Sequence, residues 1–173
     1  MTDLEGDGMK PYYQDEGVTI YHGDCREILP ELEKVDLVLT DPPYGIKLDT
    51  KYSKFKNAKS YTMVVGDDNE FDPTPLLALE TSLIIWGGNC FANKLPNHTG
   101  WLAWFKTARN DTKIRQAEME LAWTNCINRS QAYRFTWIGA YREGGEDIKY
   151  QHPTQKPFSL MKWSLLLLPN AKI

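Results

Sequence analysis

The chain has 173 residues, 42% of them hydrophobic and 25% charged, which is ordinary for a globular protein and enough for one domain with a substantial core. Its net charge of −3 does not advertise a nucleic-acid partner, no apolar run can span a bilayer, and the acidic, polar start MTDLEGDGMK is not a secretory signal. Three cysteines (Cys25, Cys90, Cys126) with no CxxC pair read as reduced thiols in a cytoplasmic protein, with no metal site and no membrane partner expected.

Met9 is a candidate alternative start, which leaves residues 1–8 as a leader. Gly17 to Tyr21 (GVTIY) is β-branched and aromatic, hence a strand, and Arg26 to Glu33 sets Ile28, Leu29 and Leu32 at helical spacing. VDLVLT, residues 35–40, is a continuous apolar run of the kind covered on both faces of a parallel sheet. It exits into Asp41-Pro42-Pro43-Tyr44-Gly45. Residues 46–72 form a long polar loop, with a strand candidate at 62–65 (TMVV). This loop carries Lys47, Lys51, Lys54, Lys56 and Lys59 against Asp49, with Tyr52, Phe55 and Tyr61 interleaved. The charge alone fits a solvated loop as well as a phosphate-contacting surface, and the aromatic rings tilt the reading toward nucleic acid. A second basic cluster sets Lys106, Arg109, Lys113 and Arg115 against Asp111.

Thr74 to Glu80 is predicted as a short helix, Thr81 to Trp86 (TSLIIW) as a buried strand ending at Gly87-Gly88-Asn89, and Phe91 to Leu95 as one or two helical turns. Strands are predicted at 100–106 (GWLAWFK), 119–124 (MELAWT) and 133–138 (YRFTWI), and a charged loop at 139–150. After HPTQKP, residues 157–168 are apolar at helical spacing with proline in the first turn. The early alternation of strands and helices indicates an α/β layered sheet, without internal repeats.

Asp41-Pro42-Pro43-Tyr44 has a plain reading as a rigid turn leaving a strand, because each proline fixes its own φ and restricts the residue before it. Its location points further. In open α/β sheets ligands bind beyond the carboxyl ends of the strands, and a carboxylate held there by two prolines is already oriented. Such an array suits an exocyclic amino group on a flat heterocycle. Asp41 can accept one N–H and the Pro42 carbonyl the other, which lets the nitrogen pyramidalise, while Tyr44 offers a ring for stacking worth about 1–3 kcal/mol.

With GDCREILPELEKVDLVLTDPPYG, LIIWGGNCFANKLP, WLAWFK, MELAWTN and HPTQKPFSLMKW in this order, the chain resembles the amino-methylating DNA methyltransferases, in the phage-like β class where the catalytic motif precedes the cofactor motif. The resemblance runs from about Met9 to the last residue. It implies a Rossmann-like α/β fold, circularly permuted, and transfer of a methyl group from S-adenosylmethionine to adenine N6 in DNA, as in restriction-modification systems. Cytosine N4 is the alternative target. Methylation of cytosine C5 is disfavoured, since that chemistry needs a Pro-Cys nucleophile and none of the ten prolines precedes a cysteine.

By the same resemblance Asp41, Pro42, Pro43 and Tyr44 carry the target-base chemistry. Asp24 and Asp41 lie toward the cofactor, Asp24 accepting from its adenine amino group, and Thr154, Gln155 and Lys156 sit near its methionine end. Asp24 also has a plain reading as the cap of the following helix. Lys47, Lys51, Lys54 and Lys56 would hold DNA opened for base flipping. Residues 125–150 are the expected target-recognition segment, with Arg129, Arg134 and Arg142 as contacts. Lys106 follows Phe105 where the family often has Asp-Lys.

None of the twelve glycines forms the F-x-G-x-G loop that should follow the HPTQKP helix, so the chain reads as the family's third to seventh strands without the first two. A truncated enzyme, half of a split enzyme completed by a second chain, and an inactive DNA-binding remnant all remain open.

Overall fold

The computed structural model describes residues 9–50, 61–107, 117–138, 141–142, 152 and 154–168. Lys51, Lys54, Lys56 and Lys59 and most of the 139–150 segment lie outside the described residues, as do Arg109, Lys113 and Arg115; for Arg142 only the backbone is described. Contacts divide the chain into two compact units, Met1–Val35 and Asp36–Ile173.

The first unit holds a two-stranded antiparallel hairpin of β1 (Tyr13–Gln14) and β2 (Thr19–Ile20), then α1 (Cys25–Ile28) and a 3-10 turn at Leu29–Glu31. Asp15 builds the hairpin turn by accepting from Gly17 N and Val18 N, both at 2.8 Å. The segment GVTIY is thus half of an exposed hairpin rather than a strand of the main sheet. The helix expected over 26–33 is cut to four residues. Pro30 has no N–H for the next α-type bond, and the chain tightens into the 3-10 turn instead.

The second unit is built on a five-stranded mixed sheet. In chain order its strands are β3 (Leu37–Thr40), β4 (Ser82–Trp86), β5 (Trp101–Phe105), β6 (Met119–Thr124) and β7 (Gln131–Arg134), arranged β3-β4-β6-β5-β7. β3 and β4 run parallel, β6 lies antiparallel to both β4 and β5, and β7 runs parallel to β5. The helix α2 (Thr74–Leu77) and a 3-10 stretch at Gly88–Lys94 flank β4, and β8 (Trp137–Ile138) pairs with β9 (Tyr141–Arg142) in a small separate ribbon. The helix α3 (Phe158–Leu165) closes the described chain. The α/β class expected from the sequence is what the chain adopts.

The core follows from alternation. Leu102 and Trp104 of β5 are buried while Trp101, Ala103 and Phe105 between them are half-buried. β4, with a neighbour on each side, buries Leu83, Ile84, Ile85 and Trp86 completely or nearly so. Leu160 of α3 joins Ile84, Trp86, Leu102, Trp104, Ala122 and Trp137 in one cluster, and Ser164, one turn on, returns its hydroxyl to Leu160 O at 3.0 Å. Tyr133, Phe135 and Trp163 extend that cluster from Trp137 as a run of stacked rings. The strand expected over 133–138 is split. Phe135 N still bonds Phe105 O, and Trp137 N bonds Lys106 O, but by residue 137 the chain has left the main sheet.

Two predicted strand features come out differently. β3 is half-buried along its whole length rather than covered on both faces, because among the described residues it has β4 as its one strand neighbour and stands at the sheet edge. TMVV forms no strand; it runs into the turn Val65–Asp68, with Met63 and Val65 exposed.

Candidate active site

The sheet topology brings three strand ends together. β3 and β4 are parallel, with Thr40 opposite Ile85, so both deliver their carboxyl ends to one edge of the unit. β6 is antiparallel and enters at that edge, with Ala122 opposite Trp86 and Gly87 N bonded to Leu121 O at 2.8 Å. Glu120, one residue earlier, therefore lies beside the exits of β3 and β4. Lys106 leaves β5 at the same edge, where Phe105 is opposite Met119.

Asp41, the first residue after β3, is the centre of the site. Its Oδ1 accepts from the Tyr44 hydroxyl at 2.6 Å and its Oδ2 from the Lys156 ammonium at 2.8 Å. Lys156 also reaches Glu120 Oε2 at 3.1 Å and the Tyr44 hydroxyl oxygen at 3.1 Å. Lys106 holds the other oxygen of Glu120, Oε1, at 2.8 Å. Two carboxylates and two ammonium groups thus form one cluster, with side chains only 9% (Lys156), 14% (Lys106), 20% (Asp41) and 21% (Glu120) exposed.

The Tyr44 ring lies against the backbone of Gly87, where an added Cβ would come within 2.0 Å of the ring. Gly87 has φ +77°, so both its conformation and its missing side chain are needed for the ring to sit there. Tyr44 also lies 5.4 Å from the Lys156 ammonium, measured at the ring centroid. Pro42 and Pro43 are half-buried.

Burial first, and then the Asp41 and Glu120 carboxylates, push the Tyr44 phenol far above its ordinary value, so it remains a donor. Burial alone would raise the Glu120 carboxyl, but Lys156 and Lys106 outweigh it and hold it below its ordinary 4.5. Burial would likewise lower the Lys156 ammonium, and Asp41 and Glu120 instead hold it above 10.5. A carboxyl depressed on folding contributes stability above its unfolded value and loses it as pH falls through the folded one. An ammonium raised on folding contributes below its unfolded value and loses it as pH rises through the folded one. The cluster should therefore give a stability plateau between about pH 5 and pH 10, falling on both sides. Urea midpoints measured across pH should show the plateau, and its acid limb should be shallower in Glu120→Gln.

The turn after Tyr44 is fixed by a residue that motif reading passed over. Asp67 is buried and accepts from Gly45 N at 2.9 Å, Ile46 N at 3.1 Å and Leu48 N at 2.7 Å, while Lys47 N bonds its carbonyl at 3.0 Å. Gly45 has φ +74°, and a Cβ there would meet Asn69 O at 2.5 Å, so the two segments close on each other at that glycine. Asp67→Ala strands three backbone donors. It should cost about 2 kcal/mol or more, read by urea unfolding, and loosen the exit from Tyr44. Glu120 was missed too, although a lone carboxylate inside the apolar strand MELAWT was the available signal.

The other expected residues are placed as follows. Asp24 lies in the first unit and caps α1, accepting from Arg26 N at 2.9 Å; its two oxygens also hold the Arg26 guanidinium, which draws its carboxyl down to about 2. The capping reading is thereby realised. Thr154 N and Oγ1 both face His152 Nδ1, Gln155 is half-buried, and the Lys156 ammonium is committed to Asp41 and Glu120. In this arrangement the Lys156 ammonium is not free to hold the carboxylate of a bound methionine moiety. Lys47 is exposed with φ +54°, Arg129 is exposed, and the Arg134 guanidinium rests 4.3 Å from the centroid of the Phe105 ring.

The chain matches no family model, no curated protein sequence and no solved structure. Among the described residues no helix is long and apolar enough to cross a membrane, and no cluster of His, Cys, Asp or Glu could hold a metal ion.

Proposed function

We propose that this chain carries the base-holding site of a DNA amino-methyltransferase acting on adenine N6, with S-adenosylmethionine as the methyl donor that the resemblance implies. One observation carries the reading. The DPPY and HPTQKP segments, the most specific parts of the resemblance, meet at one carboxylate, with Lys156 Nζ on Asp41 Oδ2 across 115 positions of sequence. Asp41 stands beyond the carboxyl end of a parallel strand, where α/β sheets place ligands.

The chemistry asked of these residues is modest. An aromatic amino nitrogen has its lone pair delocalised into the ring. Accepting an N–H at Asp41, fixed by Tyr44, favours the geometry in which that pair is available. Tyr44 supplies the aromatic surface beside it. The Rossmann-like, circularly permuted form of the fold belongs to the same reading, and it is supported by β3 having, among the described residues, β4 as its one strand neighbour, so that further strands could pair beside it.

The test is to incubate the protein, together with a second chain that supplies an F-x-G-x-G loop, with adenine-containing DNA and S-adenosylmethionine carrying a labelled methyl group, then digest the DNA and analyse the nucleosides by mass spectrometry. N6-methyladenine is the expected product. N4-methylcytosine would move the target to cytosine. Salt-sensitive DNA retention without any labelled base, with that loop supplied, would identify a binding remnant and overturn the catalytic reading.

A further inference from the structure

Both oxygens of Asp41 are already engaged in the structure, Oδ1 by the Tyr44 hydroxyl and Oδ2 by the Lys156 ammonium. A substrate amino group that is to bond Asp41 must therefore displace one of these donors. The two are not equivalent. Tyr44 is held against Gly87, with no room behind its ring, whereas the Lys156 ammonium has two further partners within reach.

From this geometry we infer that Lys156 is a resident surrogate for the substrate's amino group, and that Glu120 is the positioning residue that receives its ammonium when substrate arrives. The inference rests on the part of the proposed function in which Asp41 accepts an exocyclic amino group. Lys156 presents N–H donors to Asp41 Oδ2 at 2.8 Å, Glu120 Oε2 at 3.1 Å and the Tyr44 oxygen at 3.1 Å. Letting go of Asp41 leaves the other two in place, so the buried positive charge keeps an acid beside it throughout. Glu120 is itself steadied by Lys106 through its other oxygen at 2.8 Å, which keeps it where the ammonium must go. The two acids and two ammoniums balance, and exchanging an ammonium for a neutral amino group at Asp41 leaves that balance intact within the cluster. No proton has to move. The free site is thereby kept from presenting a bare, half-buried carboxylate, and an arriving group must offer an N–H in the ammonium's place.

The test follows the Lys156 ammonium directly, by nitrogen-15 NMR of lysine-labelled protein, with the signal assigned by its disappearance in Lys156→Arg. Saturation with a single-stranded oligodeoxyadenylate is expected to shift the signal but keep it visible. Oligodeoxythymidylate, which has no exocyclic amino group, is expected to leave it in place. In Glu120→Gln, an isosteric change, the signal is expected to be present in the free protein and lost to solvent exchange on adding the adenylate. A wild-type signal that stays unmoved by adenylate overturns the inference, as does the same shifted, persistent signal in Glu120→Gln. Methyl transfer measured on the same preparations separates the two ideas. Transfer with an unresponsive ammonium sinks the exchange and leaves the methyltransferase reading standing, and a responsive ammonium without transfer does the reverse.

Discussion

Lys156→Met should destabilise the second unit by about 3–5 kcal/mol, the usual cost of removing one partner from a buried ion pair, and lower its Tm by roughly 10 °C. The methionine keeps the volume and the apolar stem but leaves Asp41 without the Lys156 cation and Glu120 with Lys106 alone of its two. The loss is one of desolvated charge rather than of packing, and it can be recognised as such. Adding Glu120→Gln to Lys156→Met should cost less than the two single changes together, with a coupling of about 1–3 kcal/mol. Urea unfolding of the four proteins in that cycle measures it. Strict additivity would mean that Lys156 and Glu120 do not interact as their 3.1 Å separation implies.

With an F-x-G-x-G loop supplied by a second chain, Asp41→Ala should abolish formation of N6-methyladenine, with a fall of at least about 10²- to 10³-fold, the range seen when one preorganised contact to the reacting centre is removed. Mass spectrometry of DNA nucleosides after reaction gives the readout. The variant should still fold, because Lys156 retains Glu120 and Tyr44 retains its seat against Gly87. Circular dichroism of the variant therefore separates a lost contact from a lost structure. DNA methylated by Asp41→Ala at the wild-type level would remove Asp41 from the base-holding role.

Much of the sheet was readable because its strands bury continuous or alternating apolar sets. TSLIIW, WLAWFK and MELAWT appear as β4, β5 and β6 within a residue or two of their expected limits. What pattern could not convey was neighbourhood. VDLVLT has the composition of an interior strand, yet among the described residues it stands at an edge, since composition records apolarity but not how many strands pair with it. GVTIY has strand propensity and forms a strand, but in an exposed hairpin, because β propensity does not name the partner. In the site, Asp41 and Tyr44 were legible from the rigidity of Pro42-Pro43 and from the strand exit. Glu120 and Asp67 were not, because their roles depend on which backbone and which lysine the fold sets opposite them. Lys156 was singled out, but for a different neighbour: the resemblance directed it to the cofactor, and the structure sets its ammonium on Asp41.

The span of the Lys156–Asp41 bond has a consequence for how the molecule assembles. The two residues are 115 positions apart, and Tyr44 and Glu120 are 76 apart. Closing loops of that length costs entropy before any contact compensates for it, whereas β5 and β6 have a far shorter connection between them. The charge cluster is complete only when β3, β4 and β6 are in register, so its ion pairs reward only a chain whose strands are correctly paired. A slip of one residue in β6 would turn Glu120 to the opposite face of the sheet and leave Lys156 buried with half its counter-charge. The same four side chains that arrange the site thus act as a proofreader of strand register.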